Sequence, residues 1–253
     1  MSIADDRRAL RPSNPDGVFL GGKSVYGAAL GVLMLDARFP RIPGDMGNAG
    51  TWPFPVLYKV VRGASPDHVV RRNAEGTLPL FIDAAHELVD IGAEGITTNC
   101  GFLALFQQEL QEAVPVPVLT SSLLQIALVA RTLPPGKRVG VVTISARTLT
   151  ARHLEAAGAP ADTPIVGTDD GVEFSRVILG NELRLDRSAA EQDVVNAALA
   201  LREAYPDVGA IVLECTNMCP YAASVLRATG LPVYDIYSLV RWFQLGLAPH
   251  RFQ

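Results

Sequence analysis

An apolar run, then a cysteine, then a helical pattern occurs twice, and the two copies limit how the chain can fold more than any other feature. The first copy is "AEGITTNCGFLALFQQEL", with Cys100; the second is "VGAIVLECTNMCPYAASVL", with Cys215. The cysteines lie 115 positions apart, and the same step carries Ile96 to Ile211, Leu110 to Val225, Pro117 to Pro232 and Val118 to Val233. Each unit reads strand, cysteine, helix, small turn, Pro-Val, strand. Matching "GVLMLD" (Gly31–Asp36) to "GVVTIS" (Gly140–Ser145) needs a step of 109, so the loops between differ in length. This pattern reads as a weak internal duplication.

Apolar runs alternate with helical patterns around these units. "YGAALGVLMLD" reads as a buried strand. "PLFIDAAHELVDIG" reads as a helix with Leu80, Ala84, Leu88 and Ile91 on one face, and "GFLALFQQELQEA" as one with Phe102, Leu105, Phe106 and Leu110 in a stripe. "VPVPVLTS" is strand-like and "SLLQIALVARTL" helical. A second series runs through "GKRVGVVTIS", "EQDVVNAALALREAY", "VGAIVLE", "PYAASVLRATG", "LPVYDI" and "YSLVRWFQLGL". Such alternation predicts an α/β fold of parallel sheets flanked by helices. The expectation is two pseudo-symmetric lobes with the active-site cleft between them. Residues 18–133 form the first lobe and 134–233 the second, divided at the turn-rich Pro134–Gly136. Residues 234–253 return to pack on the first.

Composition removes several classes of function. Hydrophobic residues make up 49% and charged residues 19% of 253, which is globular. The net charge is −4 with no basic block, so neither nucleic acid nor a membrane surface is an expected partner. The N-terminal "MSIADDRRALRPSNPDG" lacks the apolar centre of a signal peptide, and no run is long enough to span a bilayer. Three cysteines make a disulfide framework improbable and point to the cytoplasm, where thiols stay free. Gly21-Gly22 is not followed by the strand, turn and helix of a dinucleotide site, so no nucleotide cofactor is expected.

In an open parallel sheet, ligands bind beyond the carboxyl ends of the strands, and both cysteines fall there. A thiol at a helix N-terminus feels the positive end of the dipole, which lowers its pKa. The free N–H groups beside it can cradle a carboxylate. Asn99 and Gly101 flank the first cysteine; Thr216 and Asn217 follow the second. If the two halves face each other, one thiolate takes a proton from a carbon and the other thiol returns one to the opposite face.

The segments "TTNCGF" and "LECTNMCPYA" resemble the two active-site loops of the aspartate/glutamate racemase superfamily. That group includes amino-acid and hydantoin racemases, maleate isomerases and arylmalonate decarboxylases. The resemblance implies a cofactor-independent isomerase, a racemase or epimerase acting beside a carboxylate or carbonyl. Cys100 and Cys215 would be its acid and base, and Asn99, Gly101, Thr216 and Asn217 would hold the substrate. Asp36 and Ser145, at the ends of the first strands, match polar positions of the family. It also implies a small carboxylate or hydantoin as substrate and a homo-oligomer. In this chain Asn99 precedes the cysteine, where the racemases usually place Asn after it. The loop "DARFPRIPGDMGNAGTWPFPVLY" also departs from the racemase pattern.

Plainer readings stand beside these. Cysteine is often a small buried hydrophobe. Cys219 has no counterpart in the first half and reads as a packing residue. Cys215 and Cys219 could begin a zinc site, but the four histidines are scattered and no metal is expected. Asp36 could cap a turn, and Ser145 and Asn217 could cap helices. Arg38 and Arg41 could hold a second carboxylate or be solvated. Trp52 and Phe54 could line a pocket or fill the core. The rival functions are a maleate-type isomerase with a cysteine nucleophile and a non-catalytic small-molecule binding protein on the same fold.

Overall fold

Runs of valine, leucine and isoleucine with no charged partner face are satisfied only inside a sheet covered on both sides, and two such sheets form here. The computed structural model describes residues 21–250. The N-terminal run judged above, residues 18–20 of the expected first lobe and residues 251–253 lie outside them.

The first sheet holds β1 (Leu30–Leu35), β2 (Val56–Val61), β3 (Gly95–Thr98) and β4 (Val118–Leu119) in the order β2-β1-β3-β4. The second holds β5 (Arg138–Thr143), β6 (Ile165–Gly167), β7 (Val208–Leu213) and β8 (Val233–Tyr234) in the order β6-β5-β7-β8. Every pairing is parallel. Leu30, Val32, Leu33, Ile96, Val141, Val142, Ile211, Val212 and Leu213 are wholly buried, each contributing about 1.5–3 kcal/mol by leaving water.

The duplication is written into the register. Gly31 stands opposite Ile96 and Gly140 opposite Ile211, so the steps of 109 and 115 meet across the central strands. Ile96 faces Val118 just as Ile211 faces Val233. Tight 3-10 runs follow at Gly101–Phe106 and Thr216–Tyr221, leading into the helices Gln107–Ala113 and Ala222–Thr229.

Two expected helical faces are corrected. In the helix Leu78–Ile91 the buried residues are Phe81, Ala84, Ala85, Leu88 and Val89, while Leu80 and Ile91 are exposed. In "GFLALF" the tighter 3-10 winding buries Phe102, Leu103 and Ala104 and leaves Leu105 and Phe106 half-buried.

The C-terminal helix Ile236–Leu247 lies on the first sheet. Ile236, Leu239, Val240 and Leu247 share one cluster with Leu30, Val32 and Met34. Gly95 makes that approach close, since a Cβ there would sit 2.5 Å from Leu247. Trp52, stacked between Phe54 and Tyr237, is part of the same cluster. Among the described residues no helix is long and apolar enough to cross a membrane.

Candidate active site

A strand must end where its ladder ends, and the next residue in each copy is still held by the central strand. Asn99 N–H donates to the Leu33 carbonyl (3.0 Å), and Glu214 N–H donates to the Val142 carbonyl (2.8 Å). Asn99 and Glu214 are 115 positions apart, so they occupy equivalent places. One residue on, Cys100 and Cys215 stand in extended backbone at the starts of the 3-10 runs.

Both cysteines, Asn99, Glu214 and Asn217 line one narrow, partly open cavity of about 20 Å³, which a substrate larger than water must widen on entering. The remaining wall is apolar, formed by side chains such as Leu35, Phe39, Val70, Phe102, Ile144 and Ile178. No Lys, Arg or His is among the lining residues. The lobes are tied beside the cavity. Thr216 Oγ1 donates to the Asn99 carbonyl (2.6 Å), and Ser122 Oγ donates to the carbonyls of Leu213 (2.8 Å) and Glu214 (3.1 Å). Gly101 is pressed against Glu214: a Cβ there would lie 2.2 Å from Oε1 and 2.4 Å from the carbonyl oxygen.

A polar chain orients Cys215. Its Sγ donates to Asn217 Oδ1 (3.4 Å), Asn217 Nδ2 donates to Asp45 Oδ2 (2.6 Å), and Arg41 pairs with Asp45 Oδ1 (3.1 Å). Arg41 is thus engaged with Asp45 and lies over the Phe39 ring, while the exposed Arg38 offers its backbone N–H to Asn181.

Asp36 and Ser145 are not among the lining residues. Asp36 pairs with Arg62 (3.2 Å), and Ser145 Oγ donates to Asp169 Oδ1 (2.6 Å). Thr216 and Gly101 serve the contact between lobes as described. Trp52 is in the core, the half-buried Phe54 packs against it, and neither is on the cavity wall. Cys219 is half-buried beside Asp235; all three cysteines are free thiols. No group of three or more His, Cys, Asp or Glu among the described residues could hold a metal ion.

The expected low thiol pKa is overturned. Burial, followed by the charge of Glu214, pushes Cys100 up to about 12 and Cys215 well above its ordinary value. Loss of water around a thiolate costs more than the first turn of a short 3-10 run returns. Arg41 acts on Cys100 in the opposite direction.

Glu214 is the residue that attention to the cysteines passes over. Thr143 Oγ1 donates to its Oε2 (2.7 Å), while Oε1 is buried without a hydrogen-bond partner among the described residues. Burial raises its carboxyl to about 7 from an ordinary 4.5. Between those values the folded chain holds the proton more tightly, so stability falls as pH rises, by roughly 3 kcal/mol in all. Glu214→Gln keeps the shape and removes the titration. Urea unfolding from pH 4 to 8 is expected to show the variant gaining on the wild type across this window. A difference that stays flat with pH would mean a solvated carboxyl.

No protein-family model matches the chain. Among curated proteins it is 30% identical over 231 residues to a dimethylsulfoniopropionate lyase of Durusdinium sp. clade D, covering 88% of this chain and 76% of that one. It is 31% identical over 238 residues to dimethylsulfoniopropionate lyase 7 of Emiliania huxleyi, covering 87% and 67%. Against lyase 6 of the same organism the identity is 31% over 249 residues, and the match spans 61% of that protein's length. Among solved structures, a variant of arylmalonate decarboxylase superposes with a TM-score of 0.61 at 19% identity, covering 88% of this chain and 94% of the other. Allantoin racemase of Pseudomonas fluorescens gives 0.55 at 18%, covering 88% and 94%. Glutamate racemase of Bacillus anthracis gives 0.55 at 18%, covering 87% and 82%. At these identities the structures show a shared fold.

Proposed function

The chain belongs to the family of the dimethylsulfoniopropionate lyases, an enzyme on the Asp/Glu racemase fold, and from that premise we propose a lyase working through a carbanion beside a carboxylate. The observation that carries this reading is the pair of thiols, Cys100 and Cys215, lining one cavity with a carboxamide whose Nδ2 is unspent. Asn99 Oδ1 is fixed by the Leu35 N–H (2.7 Å), which leaves Nδ2 to donate to a substrate carboxylate. A cysteine thiolate removes a proton from the adjacent carbon. The electron pair forms a double bond to the next carbon, whose bond to sulfur breaks with both electrons staying on sulfur. From 3-(dimethylsulfonio)propionate the products are acrylate and dimethyl sulfide, and the proton ends on the thiol. The sulfide leaves uncharged and needs no acid.

A second reading is favoured by the presence of two thiols where elimination requires one base. Reprotonation of the same carbanion from the other face would racemise a chiral acid or hydantoin, and a maleate-type isomerisation would use one thiol as nucleophile. The site residues, the cytoplasm as compartment and a homo-oligomeric assembly belong to the proposal as well.

The deciding experiment is proton NMR in deuterated buffer with 3-(dimethylsulfonio)propionate and a panel of chiral acids, hydantoins and maleate. Acrylate signals growing with enzyme are the expected result. Deuterium entering a stereocentre without acrylate would replace the lyase by a racemase, and fumarate formed from maleate would make it an isomerase.

A further inference from the structure

The two residues preceding the cysteines are equivalent in place and opposite in chemistry. Asn99 and Glu214 follow β3 and β7 at the same step, are each held by the central strand's backbone, and are each 2% exposed or less. Each has one polar atom tied down: Asn99 Oδ1 by Leu35 and Glu214 Oε2 by Thr143. Both residues line the cavity, and each has one buried polar atom without a hydrogen-bond partner among the described residues, a donor on Asn99 and, beside Gly101, an acceptor on Glu214. Equivalent places in the two halves thus carry a donor in one and an acceptor in the other.

We propose that Glu214 is the counter-ion for a cationic group on the substrate, opposite the carboxylate held by Asn99, so that the site selects zwitterionic onium acids over acids of net negative charge. This deepens the elimination reading and rests on it. A buried carboxylate oxygen with no partner is costly unless a cation reaches it or a proton covers it. The lining supplies no cation, because Arg41, the guanidinium nearest in the polar chain, is engaged with Asp45. Aspartate, glutamate or an arylmalonate would bring further negative charge to a wall that already carries a carboxyl. A sulfonium or quaternary ammonium brings the missing charge, and the apolar wall that includes Phe39 and Phe102 gives its methyl groups contact.

The pairing also serves the chemistry. Glu214 raises both thiols through its charge. A cation beside it cancels that repulsion while the substrate is bound. When the carbon–sulfur bond breaks the cation is gone, and acrylate is left facing a carboxylate that repels it.

Calorimetric binding of two acids tests the assignment without requiring turnover. The probes are 3-(trimethylammonio)propionate and 4,4-dimethylpentanoate, which share a shape and differ in one charge. The wild type is expected to prefer the ammonium acid by about tenfold or more. Glu214→Gln should erase that preference and Glu214→Asp should keep part of it. Equal binding of the two acids by the wild type, binding of neither, or a preference surviving in Glu214→Gln would each overturn the proposal. Acrylate release from 3-(dimethylsulfonio)propionate is followed in parallel. Preference without acrylate removes the elimination reading and leaves Glu214 as the counter-ion; acrylate without preference does the reverse.

Discussion

Cys100→Ser is expected to lower turnover by about 10³, and Cys215→Ser by about tenfold. The inequality follows from what each sulfur touches. Cys215 spends its S–H on Asn217 Oδ1, which favours the protonated thiol, and Asn217 is held in that orientation by Asp45. Burial and the charge of Glu214 raise both thiols; for Cys100 the backbone N–H groups of Phe102 and Leu103 and the charge of Arg41 act against that rise, and for Cys215 the Asn217 backbone does. On the proposed elimination we place Cys100 as the base that takes the proton, with Cys215 donating a hydrogen bond within the cavity. A serine hydroxyl can replace a hydrogen bond but not a thiolate. The measurement is initial rate of acrylate release for both variants, with α-deuterium exchange read on the same samples. Equal losses of about 10³ would mean that both thiols move protons, as racemisation demands. A larger loss in Cys215→Ser would exchange the two roles.

The second large effect is expected from one methyl group. Gly101→Ala places a Cβ where the Glu214 carboxyl and carbonyl oxygens already are, at 2.2 and 2.4 Å. A flexible side chain could move aside, but the carbonyl belongs to a residue fixed by the Val142 backbone. The cysteine loop of the first lobe must retreat instead. Overpacking of this kind costs about 3 kcal/mol, and a displacement near 1 Å lowers turnover by about a hundredfold. Urea midpoints and acrylate release measure the two losses. The double variant Gly101→Ala/Glu214→Ala should recover part of the stability, because only the side-chain half of the collision is removed. Full stability in Gly101→Ala would show that the lobes separate more freely than their hydrogen bonds indicate.

Much of the frame was legible because burial and periodicity coincide in it. β1, β3, β5 and β7 are runs of aliphatic residues with no alternative fate, and the long helices Leu78–Ile91, Arg187–Ala204 and Ile236–Leu247 span several turns. β2 was lost because it is an edge strand with a half-buried pattern and Lys59 within it, following Pro53 and Pro55. β6 has three half-buried residues, and the helices Pro66–Arg71, Ala151–Ala156 and Phe174–Gly180 are too short for periodicity to speak.

The cavity lining was legible where residue type and position agreed, as at Cys100, Cys215, Asn99 and Asn217. Thiol acidity is not legible in this way, because spacing along the chain says nothing of water. Glu214 carries a signal in the sequence too: the same 115-residue step that pairs the cysteines pairs it with Asn99. Asp45 and Arg41 reach Cys215 through a loop with no counterpart in the second half, so no repeat could have pointed to Asp45.

The equivalence of Asn99 and Glu214 bears on stereochemistry. A ligand in a pocket of true two-fold symmetry can be turned end for end at no cost, and either of two hydrogens on a methylene then meets either thiol. Carboxamide at one position and carboxyl at the other lifts that degeneracy. A ligand that engages both as proposed would be held in a single sense, so that each thiol would meet one fixed hydrogen of a methylene.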